Sequence, residues 1–99
     1  VRMYILVREI PVGNAIVAAA HASLACYLRF QDNPSMMEWI NGQFNKMVCK
    51  VTDAEFEHAK EVPDHVVLTE STLDNQEVAI AFCPREEYPK GFKFFRKYK

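Results

Sequence analysis

Six consecutive residues, Ala15-Ile16-Val17-Ala18-Ala19-Ala20, open a stretch that reaches Phe30 without glycine or proline. Such a segment is a strong helix former. It is apolar on nearly every side, so much of its surface needs cover from other elements. The sequence therefore predicts a helix over 14–30, packed centrally and N-capped by Asn14.

The segments around this helix alternate in period. Met3 to Arg8 is a short apolar run rich in Ile, Leu, Val and Tyr, which reads as a buried strand. Pro11-Val12-Gly13 breaks it. Asn33-Pro34-Ser35 restarts the chain into a short second helix that ends near Asn41-Gly42. Lys46 to Val51 alternates polar and apolar side chains as a second strand. Thr52-Asp53-Ala54-Glu55 is a capping box opening a helix to about Glu61. After a Pro63-Asp64 turn come a strand from His65 to Thr69, a polar loop from Ser71 to Gln76, and a strand from Glu77 to Cys83. Pro84 stops that strand, and a basic, aromatic segment comes after it.

The predicted order is β-α-α-β-α-β-β-α. Strands joined through helices are expected to be parallel, and the pair joined by the short loop antiparallel. The expectation is one domain over residues 1–99, a three-layer α/β/α fold with a mixed four-stranded sheet. A chain of 99 residues can bury one core without disulfides. No apolar run reaches the ~18 residues of a membrane span, and the first residues run into charge too soon for a signal peptide. Cys26, Cys49 and Cys83 are odd in number and contain no CxxC pair, which points to free thiols in a reducing, cytoplasmic setting. Neither they nor His21, His58 and His65 show ligand spacing, so no metal and no cofactor is expected.

A net charge of −1 hides a split. Lys90, Lys93, Arg96, Lys97 and Lys99 give residues 90–99 five positive charges, leaving seven basic and thirteen acidic residues before them. Loading one end with cations points to an anionic partner. The tail interleaves those cations with aromatics. Phe92 and Phe95, with Phe94 as a third candidate, can pack on the sheet while Lys93, Arg96 and Lys97 meet a phosphate backbone and Tyr98 stacks on a base. An amphipathic C-terminal helix with a solvated face fits the same pattern.

His21 stands mid-helix after a run of small residues. A neutral imidazole there can take a proton from water; on spacing alone, a core histidine bonded to a carbonyl is the more common case. Gly13-Asn14, at a strand-to-helix turn, present backbone N–H groups suited to phosphate or an oxyanion, or simply turn the chain. Glu70 follows the third strand, where a carboxylate can orient a histidine. Gln43 and Lys46 lie between the second helix and the second strand, where they can hydrogen-bond a ligand or only shape the turn.

Taken together, these residues resemble the type-II peptidyl-tRNA hydrolase family. Met3 to Arg8 is similar to the family's first strand. Val17 through His21-Ala22 is similar to its Ala-Ala-Gln-x-x-His-Ala helix, and Gly42-Gln43 with Lys46 to Val51 is similar to its Gly-Gln-x-Lys-Val-Val-Val-Lys stretch. Pro11-Val12-Gly13, Asp64-His65, Pro84 and the ending Arg96-Lys97-Tyr98-Lys99 look like the family's divergent branch of peptidyl-tRNA hydrolase domain-containing proteins.

The resemblance implies cleavage of the ester between a peptide, or another acyl group, and the terminal ribose of tRNA. It implies His21 and Glu70 as the catalytic pair, and Arg8, Gly13, Asn14, Gln43, Lys46, Lys93, Arg96 and Lys97 as binders of the acceptor stem. Val12 and Asn14 stand where the family's loop carries lysines, Ala18 where it has glutamine, and Thr69 to Asn75 where it has an Asp-Ala-Gly loop. The oxyanion then falls to backbone N–H groups near Gly13, to Arg8 or to Lys46. An inactive module that binds tRNA or other RNA with the same fold is the alternative. A homodimer stays open, and no membrane contact is expected.

Overall fold

A computed structural model describes residues 1–98. Strand β1 is Met3–Arg8, helix α1 Val12–Arg29, helix α2 Pro34–Ile40, strand β2 Lys46–Val51, helix α3 Asp53–Ala59, strand β3 His65–Glu70, strand β4 Gln76–Phe82 and strand β5 Arg96–Lys97. Short 3-10 turns fill Ser71–Leu73 and Lys90–Phe94. The capping box is present: Thr52 Oγ1 accepts the Glu55 N–H at 3.1 Å, and Glu55 accepts the Thr52 N–H at 2.8 Å.

The sheet is mixed, with strand order β3-β4-β1-β2-β5. β1 and β2 are parallel, in register from Met3–Lys46 to Arg8–Val51. β4 is antiparallel to both β1 and β3, so β1, β2 and β3 all run in one direction. β1 is central and buried on both faces, which is why it reads as an unbroken apolar run. Successive side chains leave opposite faces of a strand. Met3, Ile5 and Val7 therefore pack under Ala15, Ala18, Ala22 and Cys26 of α1. Tyr4 and Leu6 pack on the other face with Phe56 of α3, Phe82 and Phe92.

Four expectations are corrected. The sheet has five strands, because Arg96 and Lys97 pair with Lys50 and Cys49 along the outer edge of β2. The tail forms this strand and a 3-10 turn in place of a helix, and its buried ring is Phe92 (5 % exposed), with Phe95 half-buried and Phe94 exposed. α1 begins at Val12 with Pro11 at its N-cap position, so Asn14 lies inside the first turn and its amide is free for another partner. Finally, α1 is not covered all round. It lies over β1, β4 and β3, and buries only the alanine and cysteine face. Val12, Ile16, Val17, Leu24 and Leu28 stay exposed. A single helix on a sheet covers one stripe of itself, whatever the composition of its outer face.

β4 carries an irregularity opposite Leu68 and Thr69, where the register steps from Ala79 to Glu77. Val78 and Ala79 thus both join the α1-side core. The extra residue re-aims its neighbours along the strand. Glu77 reaches Lys60 on the α3 side, while Glu70 pairs with Gln76 beside α1.

Candidate functional site

β1, β2 and β3 all end at one rim of the sheet, and α1 and α3 both begin there. In open α/β sheets this carboxyl rim is where ligands bind. Its α1 side carries a hydrogen-bonded chain. Asn14 Nδ2 donates to Thr72 Oγ1 at 3.3 Å, and the Thr72 hydroxyl donates to Glu70 Oε2 at 2.8 Å. The Thr72 backbone N–H donates to the same oxygen at 3.1 Å. Each link polarises the next, so the proton of the threonine hydroxyl is committed to the carboxylate.

The loop that presents Glu70 and Thr72 closes through Asp74 (φ 54°) and Asn75 (φ 58°), both left-handed. Short polar side chains tolerate that conformation best. The Asn75 N–H then returns to the Glu70 carbonyl at 3.0 Å. The Glu70 carboxyl is held below its ordinary value of 4.5, first by the Thr72 hydroxyl and then by the Thr72 N–H, against desolvation, with His21 adding the smallest contribution. His21 is exposed, on the flank of α1 that carries Asn14. Its solvent access excludes the core-histidine reading.

Gly13 lies in the first turn of α1, with open space around the position a Cβ would take. Its N–H and those of Val12 and Asn14 precede the first intrahelical bond, from Ala15 N–H to the Pro11 carbonyl at 3.0 Å. The rim thus holds an oriented carboxylate, a hydroxyl, an amide donor and the positive end of a helix, and the His21 imidazole stands further along the same flank of α1. Such a set can fix and deprotonate a water and meet a developing oxyanion.

The other expected residues lie elsewhere. Arg8 is at the same rim but on the α3 face, where Nε and Nη2 donate to Asp53 Oδ1 at 3.0 and 2.8 Å and Nη1 to the Glu77 carbonyl at 3.2 Å. Gln43 and Lys46 are at the opposite rim, and Lys46 Nζ donates to the Phe44 carbonyl at 3.0 Å. Lys93 lies over the Phe94 ring in the 3-10 turn. Arg96 and Lys97 sit on the outer edge of β2. The α1 side of the rim therefore gathers Gly13, Asn14 and Glu70, with His21 about two turns further along the same flank of α1, and leaves out Arg8, Gln43, Lys46, Lys93, Arg96 and Lys97.

Thr72 is the member that sequence reasoning missed. A hydroxyl two residues after a carboxylate is a common local motif. Its meaning comes from Asn14, which lies 58 residues earlier in the chain.

No curated protein matches the chain. A family model described as Peptidyl-tRNA hydrolase PTH2 matches residues 1–81, which include Asn14, His21, Glu70 and Thr72.

Proposed function

The chain belongs to the peptidyl-tRNA hydrolase PTH2 family, and on that premise we propose that it hydrolyses the ester between a peptidyl or acyl group and the terminal ribose of a tRNA. The observation that carries this reading is the Asn14–Thr72–Glu70 chain at the carboxyl rim, with the exposed His21 further along the same flank of α1. His21 takes a proton from water as the oxygen adds to the ester carbonyl. Glu70, steadied by Thr72, favours the imidazolium that forms. The first-turn N–H groups of α1 and the Asn14 amide meet the oxyanion. When the carbon–oxygen bond breaks, the proton held by His21 passes to the departing ribose oxygen. The three buried free thiols suit a reducing, cytoplasmic setting for this work.

Deacylation of an N-acetylaminoacyl-tRNA tests the reading. His21→Ala and Glu70→Gln should each lower the rate by about a hundredfold or more, with unchanged melting, because both side chains are away from the core. One observation favours the second reading, an RNA-binding module without hydrolysis. The rim cluster holds no lysine or arginine, since Arg8 is committed to Asp53 on the other face. Release no faster than in buffer by the wild-type chain, with tRNA still bound, would decide for that reading.

A further inference from the structure

α1 leaves the β2 side of the sheet uncovered, and two hollows follow that flank of the helix, an upper one against β2 and Tyr98 and a lower one against α2 and Lys46, together called the furrow. Ile16, Val48 and Tyr98 line its upper half. Leu24, Phe44 and Lys46 line its lower half. We infer that this furrow is a track for single-stranded RNA, held by Lys46, Lys50 and Arg96 and stacked at its two ends on Phe44 and Tyr98.

The charges argue for an anion. Arg96 and Lys50 stand directly opposite each other across β5 and β2. Like charges in that position repel, and a phosphate between them removes the conflict. Among the described residues, no ion pair engages Lys46, Lys50 or Arg96. The helix wall of the furrow has no carboxylate from Val12 to Arg29. The carboxylates that pair with Arg8 and Lys60, namely Asp53, Glu57 and Glu77, lie on the α3 side.

The rings argue for bases. Lys50 Nζ lies 4.9 Å from the centre of the Tyr98 ring, and Lys46 Nζ lies 5.7 Å from that of Phe44. Each end of the furrow thus pairs an aromatic face with a cation, the combination that holds a stacked base and its phosphate. Phe44 is 47 % exposed. Its backbone is left-handed (φ 54°), a costly conformation for a bulky residue and one that tends to mark ligand clamps. Lys46 and Lys50 are four residues apart on β2, about 13 Å along the strand, a span for a few nucleotides of extended backbone. The upper end opens beside Ile10, whose carbonyl accepts from the Tyr98 hydroxyl at 3.4 Å. An RNA end leaving there arrives at the first turn of α1. Only this polarity, with the ester-bearing end at the top, rests on the hydrolase reading.

Anisotropy of a labelled single-stranded RNA ending in CCA, and of a duplex of equal length, tests the track over a salt series. Replacing Lys46, Lys50 and Arg96 together by Gln should weaken single-strand binding on the order of tenfold or more. It should also flatten the salt slope by roughly two units, as three lost phosphate contacts on a single strand require. Phe44→Gly should weaken single-strand binding roughly fivefold or more through lost stacking. Its Tm should hold or rise, because glycine takes positive φ without penalty. A merely structural Phe44 would show the opposite pairing. Wild-type affinity in the triple variant overturns the inference, as does duplex bound as tightly as single strand. So does full competition by a polyglutamate peptide, which would mark the furrow as a dock for an acidic protein. Binding and deacylation are separate readouts, so a chain that binds RNA here without hydrolysing it sinks only the catalytic reading.

Discussion

The two faces of the sheet are built from different side chains and do different work. Under α3 and the C-terminal segment lies an aromatic cluster. The Phe92 ring is 5.2 Å from that of Tyr4, 5.1 Å from Phe82 and 5.3 Å from Tyr88. The Tyr88 hydroxyl is tied down there: Tyr88 Oη accepts the Tyr4 N–H at 3.4 Å and lies 2.9 and 3.0 Å from the Arg2 and Cys83 carbonyls. Above it, carboxylates are spent on structure, with Asp53 on Arg8 and both Glu57 and Glu77 on Lys60. Under α1 the contacts are made by Ala15, Ala18, Ala22 and Cys26, which bring the helix close but bury little side-chain area. The apolar residues of that helix that could add area point outward, and both the rim cluster and the furrow flank it. One face stores stability in large rings. The other accepts a thin helix contact and keeps its surface open.

The strongest way to break this contrast is to truncate the central ring of the aromatic face. Phe92→Ala should cost about 3–5 kcal/mol, read as a fall in the urea midpoint at constant m-value. A loss under 1 kcal/mol would show that the tail is not an anchor.

Alkali sharpens the contrast next. Burial pushes the Cys26 thiol from its ordinary 9.0 up to about 12 and Cys49 to about 11, and the Tyr88 hydroxyl from 10.0 up to about 12. Their folded values are raised, so the stability they contribute is complete below pH 9 and is lost as pH rises toward 12. At pH 10 each thiol should cost on the order of 1 kcal/mol relative to pH 8, measured by denaturant titration at the two pH values. Reaction with a thiol reagent at pH 8 should be slow at both sites. Cys26 reacting well before Cys49 would show the α1 face opening first.

Thr52→Ala removes one half of the capping box of α3 and should cost about 1 kcal/mol, seen as a few degrees of Tm. Ile16→Ser, at a site 67 % exposed on α1, should stay within about 0.5 kcal/mol. A larger loss at Ile16 would mean that the outer face of α1 is covered in solution.

The predicted strands and helices were legible to within a few residues because each has a local cause. β2 spans Lys46 to Val51 as its alternation requires, and α3 starts where its capping box says. The parallel β1–β2 pair and the antiparallel β3–β4 pair follow from the lengths of their connections. The tail was harder to read. Its cations and rings suit an amphipathic helix as well as a strand, and the choice came from an unpaired edge on β2 that no local window contains.

The sequence by itself determined which segments up to β4 are helix or strand, that they build an α/β fold, and that His21, Glu70 and Asn14 merit chemical scrutiny. Periodicity, capping and turn residues act over a few positions, and these features are written there. The tertiary structure alone decided who meets whom. It joined Asn14 to Thr72 and Thr72 to Glu70, turned Arg8 to the far face, and set Lys50 against Arg96. Those outcomes depend on strand order, on the irregularity in β4, and on which stripe of α1 faces the sheet. Each is settled by packing between segments distant in the chain, where the burial of one face against another outweighs any local preference.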